Sequence, residues 1–214
     1  MDAGTGANSS VRPITSHPPG AWRCTHMQTD TVPPIPKVAS GRRHRTAPTA
    51  LGDLLLVAHG EALAGVYFPA HWYPPSAQFR GEAVAPEQPD PVLDAAATQL
   101  HEYLAGSRQS FDVPTVTAAD AFSERIWAML HEIPYGRTTT YGRLAVELGN
   151  RALAQRVGQA VGHNPLSIVI PCHRVLGADG SLTGYAGGVA RKQFLLDLEQ
   201  PGTSLFPVPF SGGA

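Results

Sequence analysis

The stretch IVIPCHRV, residues 168–175, carries the strongest structural signal in this chain, because it places one cysteine beside a histidine directly after an apolar run. Residues 168–170 predict a short buried strand or extended segment, and the proline that follows stops it by removing a backbone donor. A cysteine attacks as the thiolate, and a neighbouring His or Arg charge lowers the pKa of its thiol from about 8.5. Cys172, followed by His173 and Arg174, is therefore predicted to be a nucleophile, although a lone cysteine is more often a small buried apolar residue.

The residues around this stretch predict a mostly helical region. Asp120 is a candidate cap for a helix whose apolar residues recur on one face. Two shorter helices, 141–148 and 151–161, are separated by Gly149-Asn150, which is the helix-turn-helix pattern. The pattern alone is a weak signal, because two packed helices are more often plain core than a DNA-binding motif. The polar residues outside the apolar stripe of the second helix favour DNA binding and are Arg151, Gln155, Arg156 and Gln159.

The first half of the chain predicts a small unit of mixed secondary structure. Two aliphatic runs, 54–58 and 63–68, flank a His-Gly-Glu turn and predict a β-hairpin. Asp90 is a candidate cap for a helix with Pro91 at its first position, and residues 111–113 are a further strand candidate. The predicted fold class is α+β: a small N-terminal domain with a β-hairpin or sheet and a helix, followed by a mostly helical C-terminal domain that contains a helix-turn-helix.

The chain is predicted to divide into four segments. Residues 1–43 are rich in proline and lack apolar periodicity, which predicts a disordered extension. The N-terminal α+β domain is assigned to 44–117, and a second domain, predicted to be catalytic and DNA-binding because it holds Cys172 and the helix-turn-helix pattern, is assigned to 118–202. Residues 203–214 are assigned to a C-terminal tail.

Composition excludes several classes of protein. Only two cysteines occur, Cys24 and Cys172, and no signal-peptide pattern precedes them, so we expect a cytoplasmic protein without a disulfide framework. No apolar run approaches the ~20 residues needed to span a bilayer, which excludes a membrane role. The net charge is −1, but residues 137–192 hold seven basic residues against two acidic ones. That local excess fits a solvated basic face or a surface that contacts phosphates.

Several separated blocks resemble the 6-O-alkylguanine-DNA alkyltransferase family of DNA repair proteins. The likeness runs from about His44 to Glu199 and is tight after Phe122. The blocks are Phe122 to Trp127, Ile133 to Gly136, Thr140 to Gly142, Asn164-Pro165, Pro171 to Val175, Gly177 to Gly188 and Leu195 to Glu199. The resemblance implies irreversible, single-turnover transfer of an alkyl group from 6-O-alkylguanine in double-stranded DNA to Cys172. It also implies a monomer that needs no cofactor, no metal and no obligate protein partner.

The resemblance assigns roles to residues that are distant in sequence. His173 would deprotonate Cys172, directly or through a water, and Glu199 would orient the imidazole. Asn164 would brace the site, and Tyr141 would donate a proton to the guanine ring. Without the resemblance, the simpler interpretations are a turn for Asn164, packing for Tyr141 and a solvated helix-end charge for Glu199.

The target atom of such a reaction lies inside stacked DNA, so the nucleotide must be flipped into a pocket. The glycine-rich loop 183–188 is predicted to form one pocket wall, because glycine lets the backbone approach a base closely; a tight surface turn is the alternative. The predicted substrate contacts are Tyr141, which the resemblance implies, and Tyr185, Gly187 and Val175, with Tyr185 offering a stacking face and a hydroxyl. The predicted DNA contacts are Arg143, Arg151, Gln155 and Arg156.

One helix departs from the family pattern. Family members usually have Ala-Arg-Ala-Val-Gly, whose arginine fills the gap left by the flipped nucleotide, whereas residues 154–158 are Ala-Gln-Arg-Val-Gly. Aligned without a gap, Gln155 takes the arginine position and Arg156 lies about 100° further round the helix. Either residue is therefore a candidate for the intercalating role. Cys24-Thr25-His26 is not predicted to bind zinc, because structural zinc takes four ligands.

Two functions from other classes compete with alkyl transfer. A DNA-binding sensor would recognise lesions or regulate transcription without useful transfer, and the presence of Cys172 argues against it. A turnover cysteine hydrolase or a thiol redox protein would need an oxyanion site or a resolving cysteine. Neither Cys24 nor any motif in the chain supplies one.

Overall fold

A small sheet opens the part of the chain that the computed structural model describes, residues 41–201. Its strands are β1 (Arg42–Ala47), β2 (Leu54–His59), β3 (Ala62–Tyr67) and β4 (Glu82–Ala83). The strand order is β3-β2-β1-β4, with β1, β2 and β3 antiparallel and β4 parallel to β1. The hairpin of β2 and β3 confirms the prediction from the two aliphatic runs, and one bulge interrupts it between Val57 and Ala58.

Strand β1 is not predicted by the sequence pattern, and its first two residues fall inside the predicted disordered extension. Its sequence, RRHRTA, is too basic to give an apolar alternation. Arg43 is nevertheless buried, and its guanidinium forms a bidentate ion pair with Asp90. A charged residue can occupy a buried strand position only when a fixed partner compensates it, and that partner lies 47 residues away in the chain.

Helix α1 (Ala77–Arg80) lies between β3 and β4, and helix α2 (Pro91–Leu104) follows β4. Asp90 caps α2 as predicted, since its side chain accepts from the backbone N–H groups of Val92 and Leu93 at 3.1 and 3.0 Å. The predicted strand at 111–113 is wrong. The side-chain oxygen of Gln99 binds the N–H groups of Asp112 and Val113, so these donors do not enter the sheet.

The second half of the described chain is mostly helical, as predicted. Its helices are α3 (Ala121–His131), α4 (Tyr141–Glu147), α5 (Ala154–Gly162) and α6 (Val189–Glu199). Helices α4 and α5 form the expected helix-turn-helix pair, but a 3-10 turn, Arg151–Leu153, replaces the first turn of the predicted second helix. A two-stranded parallel pair, β5 (Thr139–Thr140) and β6 (Val175–Leu176), lies beside them.

Residues 168–170 do not form a strand, which corrects the first expectation. Ile168 and Val169 lie in a tight turn, and the φ of Ile168 is +72°. A β-branched residue in this region is strained, so the turn persists only because buried neighbours hold it. The prediction that these residues are buried is confirmed.

One apolar core runs through both halves of the described chain. It joins the inner faces of β2, β3 and α2 to those of α3, α5 and α6. The indole of Trp127 on α3 donates to the carbonyl of Ala160 on α5 at 2.9 Å, which fixes α5 against the core and leaves its opposite face exposed. Within residues 41–201, none of the helices has the length and apolarity to cross a bilayer.

Candidate active site

Cys172 begins a 3-10 turn, Cys172–Arg174, directly after the strained turn at Ile168. Its own N–H donates to the carbonyl of Ile170 at 2.7 Å, and the N–H of Arg174 donates to that of Pro171 at 3.0 Å. The residue is only 5 % exposed. These bonds hold the thiol in a fixed, largely buried position.

Asn164 supports the backbone that leads to Cys172. Its amide nitrogen donates to the carbonyl of Ile170 at 2.9 Å, and its side-chain oxygen accepts from the N–H of Leu166 at 3.0 Å. The second bond is the turn that the simpler interpretation expects, while the first ties Asn164 to the residue two before the cysteine. The side chain is buried and lies close enough to the thiol to oppose, in part, the rise in the pKa of Cys172 that burial causes.

His173 and Glu199 are in contact, although 26 residues separate them. The imidazole Nε2 lies 2.6 Å from Oε1 of Glu199, and both side chains are almost completely buried. An ionised carboxylate only accepts hydrogen bonds, so Nε2 carries the proton and Nδ1 is the basic nitrogen. Nδ1 is buried with no hydrogen-bond partner among the described residues. Burial lowers the pKa of His173 although Glu199 opposes the shift, so the imidazole is neutral at rest.

Glu199 is not a solvated charge at a helix end, which corrects the simpler interpretation. Arg174 donates to both carboxylate oxygens, from Nε at 2.9 Å and from Nη2 at 3.0 Å. The N–H of Gly136 donates to Oε2 at 2.9 Å, and the hydroxyl of Tyr103 donates to Oε1. Burial acts to raise the pKa of Glu199, but hydrogen bonds from His173, Arg174 and Tyr103 lower it to about 2.

The pKa of the Cys172 thiol is raised, contrary to the sequence-based expectation. Burial is the main cause, and the neighbouring Asn164, Lys192 and Tyr185 only partly offset it. The predicted cation Arg174 is instead directed to Glu199 and to the carbonyl of Ile133, 2.6 Å away. The thiol therefore keeps its proton at rest, and attack requires a base.

Lys192 is the buried cation on the thiol side of the site. Its Nζ donates to the carbonyls of Val175 and Thr183 at 2.6 and 3.0 Å and lies 6.0 Å from the ring centre of Tyr141. Burial lowers the pKa of Lys192 to about 8. The ammonium thus joins strand β6, the glycine-rich loop and the start of α4.

The four predicted substrate-contacting residues lie in different environments. Tyr141 is the first residue of α4 and is half-buried, whereas Val175 and Tyr185 are buried. The Tyr185 hydroxyl lies near Cys172 and has no nitrogen or oxygen partner among the described residues. Gly187 packs against Phe68, where a Cβ would lie 2.3 Å from a ring carbon, so glycine is required there by packing.

The predicted DNA-contacting side chains are all exposed, and they lie on or beside the helix-turn-helix: Arg143, Arg151, Gln155 and Arg156. Arg143 pairs with Glu147 at 3.5 Å, and the guanidinium of Arg156 stacks on the ring of Phe122 at 3.9 Å.

Only some of the basic side chains counted in residues 137–192 are exposed to solvent. Arg174 and Lys192 are buried, and Arg191 donates to the carbonyls of Leu51 and Gly187.

No group of three or more His, Cys, Asp or Glu side chains within residues 41–201 is arranged to hold a metal ion. Cys24 and His26, the pair considered for zinc, lie outside the described residues, as do most of the predicted extension and all of the C-terminal tail.

Tyr103, Gly136 and Lys192 belong to the site but were not identified from the sequence. Tyr103 is part of the apolar stripe of α2, and a buried tyrosine in a stripe gives no sign that its hydroxyl reaches another region. Lys192 follows Arg191 and reads as part of a solvated basic pair. A signal for Lys192 was its position on the inward side of α6, three residues before the buried Leu195.

Known proteins resemble this chain across both halves of the described residues. The 6-O-methylguanine DNA methyltransferase ribonuclease-like domain matches residues 43–117, and the DNA binding domain of the same name matches residues 121–201. A Mycobacterium tuberculosis protein named methylated-DNA–protein-cysteine methyltransferase is 41 % identical over 158 residues, which are 73 % of this chain and 92 % of that protein. A Haemophilus influenzae protein of the same name is 38 % identical over 154 residues, 72 % of this chain and 83 % of that one.

A solved structure gives the same relationship in three dimensions. The crystal structure of Mycobacterium tuberculosis OGT in complex with DNA superposes with a TM-score of 0.64 at 41 % identity, covering 74 % of this chain and 92 % of that chain. Both family domains match, in order, across nearly all of the described residues. The chain therefore belongs to the 6-O-methylguanine DNA methyltransferase family.

Proposed function

We propose that this protein repairs 6-O-alkylguanine in double-stranded DNA by moving the alkyl group to its own Cys172, once per molecule. The observation that carries the proposal is a buried cysteine whose neighbour, His173, is hydrogen-bonded to the ionised Glu199. The relatives named methylated-DNA–protein-cysteine methyltransferase support it. The protein acts as a cytoplasmic monomer without a cofactor.

The first step of the proposed reaction is deprotonation of the thiol. Nδ1 of His173 is the basic nitrogen, because Nε2 is occupied by Glu199, and it accepts the thiol proton through a water. Glu199 then stabilises the imidazolium, as a carboxylate does in a catalytic triad. Lys192 stabilises the thiolate that remains, since its ammonium acts to lower the pKa of Cys172.

The second step is displacement at the alkyl carbon. The sulfur of Cys172 forms a bond to that carbon, the bond from carbon to the guanine oxygen breaks, and its electron pair passes into the guanine ring. Tyr141 donates a proton to the ring, which makes guanine a neutral leaving group; burial raises the pKa of Tyr141, so the hydroxyl is protonated beforehand. The phenolate then takes a proton from solvent and the His173 imidazolium releases the thiol proton to solvent, so that both side chains return to their resting forms. The product thioether is stable, and no group in the site regenerates the thiol.

Access to the base requires the helix-turn-helix. The exposed face of α5 enters the DNA, while Arg143 and Arg151 contact phosphates. The loop 183–188 and Tyr185 receive the flipped nucleotide. A relative, Mycobacterium tuberculosis OGT, has been crystallised in complex with DNA, which supports DNA binding by this chain.

Intact-protein mass spectrometry tests the proposal directly. After incubation with excess methylated duplex, we expect every molecule to gain one methyl group, located on Cys172 by peptide mapping, and the reaction to stop there. Unmethylated duplex is the control. Repeated turnover, or a methyl group on another residue, would refute it.

A further inference from the structure

Tyr103 brings the N-terminal half of the described chain into the candidate active site. It lies in the last turn of α2 and is completely buried. Its hydroxyl donates to Oε1 of Glu199, the oxygen that also contacts His173, and lies 3.4 Å from Nε2 of His173. Tyr103 thus connects the sheet-containing half of the described chain to both members of the pair.

We propose that Tyr103 is a positioning residue which holds Oε1 of Glu199 and limits how strongly that carboxylate attracts the proton on His173. The inference rests on the proposed function for its consequence in alkyl transfer. Its effect on the imidazole is a property of the folded protein and can be measured without any reaction.

The chemistry of Tyr103 restricts it to one role. Burial and the charge of Glu199 both raise the pKa of Tyr103, so the phenol stays protonated and donates to the carboxylate. A carboxylate that shares its charge among several donors is a weaker acceptor toward each of them. The hydroxyl therefore keeps the imidazole from being over-stabilised in its charged form, in which it cannot act as a base.

The other groups around this proton set the size of the effect. Arg174, on the same turn as His173, and Lys192, on α6, both act to lower the pKa of His173, whereas Glu199 raises it. Tyr135 faces Glu199 from the segment between α3 and β5, and its hydroxyl donates to the carbonyl of Leu198 at 3.3 Å. Tyr103 acts within this set by weakening the influence of Glu199.

The substitution Tyr103→Phe removes the hydroxyl and keeps the ring. We expect the pKa of His173 to rise by about one pH unit, because Glu199 loses a donor and attracts the imidazolium more strongly. The pKa is read from the His173 ring resonances by NMR across a pH titration of the intact protein. The matched control is Tyr135→Phe, which removes a nearby tyrosine hydroxyl that bonds to a backbone carbonyl instead, and there we expect no change.

Single-turnover kinetics on methylated duplex give the second measurement. The acidic limb of the pH–rate profile of Tyr103→Phe is expected to move to higher pH by the same amount, with the rate at high pH within about threefold of the unaltered protein. An unchanged His173 pKa, or an equal loss of rate at every pH, would overturn the proposal and leave Tyr103 as a packing residue. If the His173 pKa shifts in Tyr103→Phe but the unaltered protein transfers no alkyl group, the role of Tyr103 is upheld and the proposed function is refuted instead.

Discussion

Glu199 and Arg156 are charged residues of two helices that are successive in the chain, α6 and α5, but their surroundings are opposite. Glu199 is buried and accepts hydrogen bonds from four residues: Tyr103, Gly136, His173 and Arg174. Arg156 is exposed and rests on the ring of Phe122. A buried charge must be compensated by fixed partners, whereas an exposed pair contributes little, about 0–1 kcal/mol. Substitutions near Glu199 should therefore have large effects on chemistry and stability, and those on α5 should have small, salt-dependent effects on binding.

The largest expected effect is at the sulfur itself. Cys172→Ala should abolish alkyl transfer, because no second thiol lies within the described residues. Affinity for duplex DNA should be unchanged, since phosphate contacts do not involve the thiol. Mass spectrometry measures the first and fluorescence anisotropy the second. Residual transfer by this variant would place the acceptor elsewhere.

The next effect is expected at the buried carboxylate. Glu199→Gln keeps the size of the side chain but leaves Arg174 without its counter-charge, which typically costs about 3–5 kcal/mol of unfolding free energy. Transfer should slow on the order of 100-fold, because His173 loses the group that stabilises its charged form. Urea unfolding and single-turnover kinetics measure the two effects. A loss of stability without a loss of rate would separate Glu199 from the chemistry.

The pH dependence of stability follows from the same residue. The pKa of Glu199 is about 2 in the folded protein, compared with an ordinary value of 4.5. Its contribution is therefore complete above about pH 4.5 and is lost as the pH falls toward 2. The free energy of unfolding of the unaltered protein, measured with urea, should therefore fall across that window. The free energy of unfolding of the Glu199→Gln variant should fall less. Identical slopes would mean that other carboxylates dominate acid unfolding.

A smaller effect is expected at Lys192, on the thiol side of the site. Lys192→Met keeps the length of the side chain, removes the ammonium and leaves the carbonyls of Val175 and Thr183 without that donor. The pKa of Cys172 should rise further, so transfer at neutral pH should fall about tenfold and recover at higher pH. Thiol alkylation rates across pH measure this shift. An equal loss at every pH would assign Lys192 a purely architectural role.

The comparison also explains what the sequence could predict. The hairpin, the capped helix α2 and the helix-turn-helix follow from local patterns, and those are the elements it predicted correctly. Cys172, His173 and Glu199 came from motifs, but their mutual geometry came from the family resemblance, because 26 residues separate the histidine from the carboxylate.

The residues that the sequence missed share one physical feature. Arg43, Tyr103 and Lys192 are polar side chains that are buried with a distant partner. Apolar periodicity predicts which side of a helix or strand is buried, but it does not predict which polar partner a buried side chain will meet. The prediction that Arg174 lowers the pKa of the thiol was wrong for the same reason. Adjacency in sequence suggested Cys172 as its partner, but the fold directs the guanidinium to Glu199.

The smallest expected effects are on α5, and they decide which residue replaces the missing arginine. Gln155 and Arg156 are both exposed, but Arg156 stacks on the ring of Phe122 on α3, whereas Gln155 lies one position earlier on α5. We therefore expect Arg156→Ala to weaken duplex binding slightly and to reduce its salt dependence by about one unit, as for a single phosphate contact. Arg143→Ala, which removes an exposed arginine on α4, is the matched control and should have the same effect.

Gln155→Arg should accelerate transfer from duplex DNA but not from the isolated alkylated base, because only the duplex has a vacated stack to fill. If Arg156→Ala abolishes duplex repair while Gln155→Arg is neutral, then Arg156 leaves Phe122 on binding DNA and is the intercalating residue. The exposed face of α5 would in that case depend on one residue as strongly as the buried network depends on Glu199.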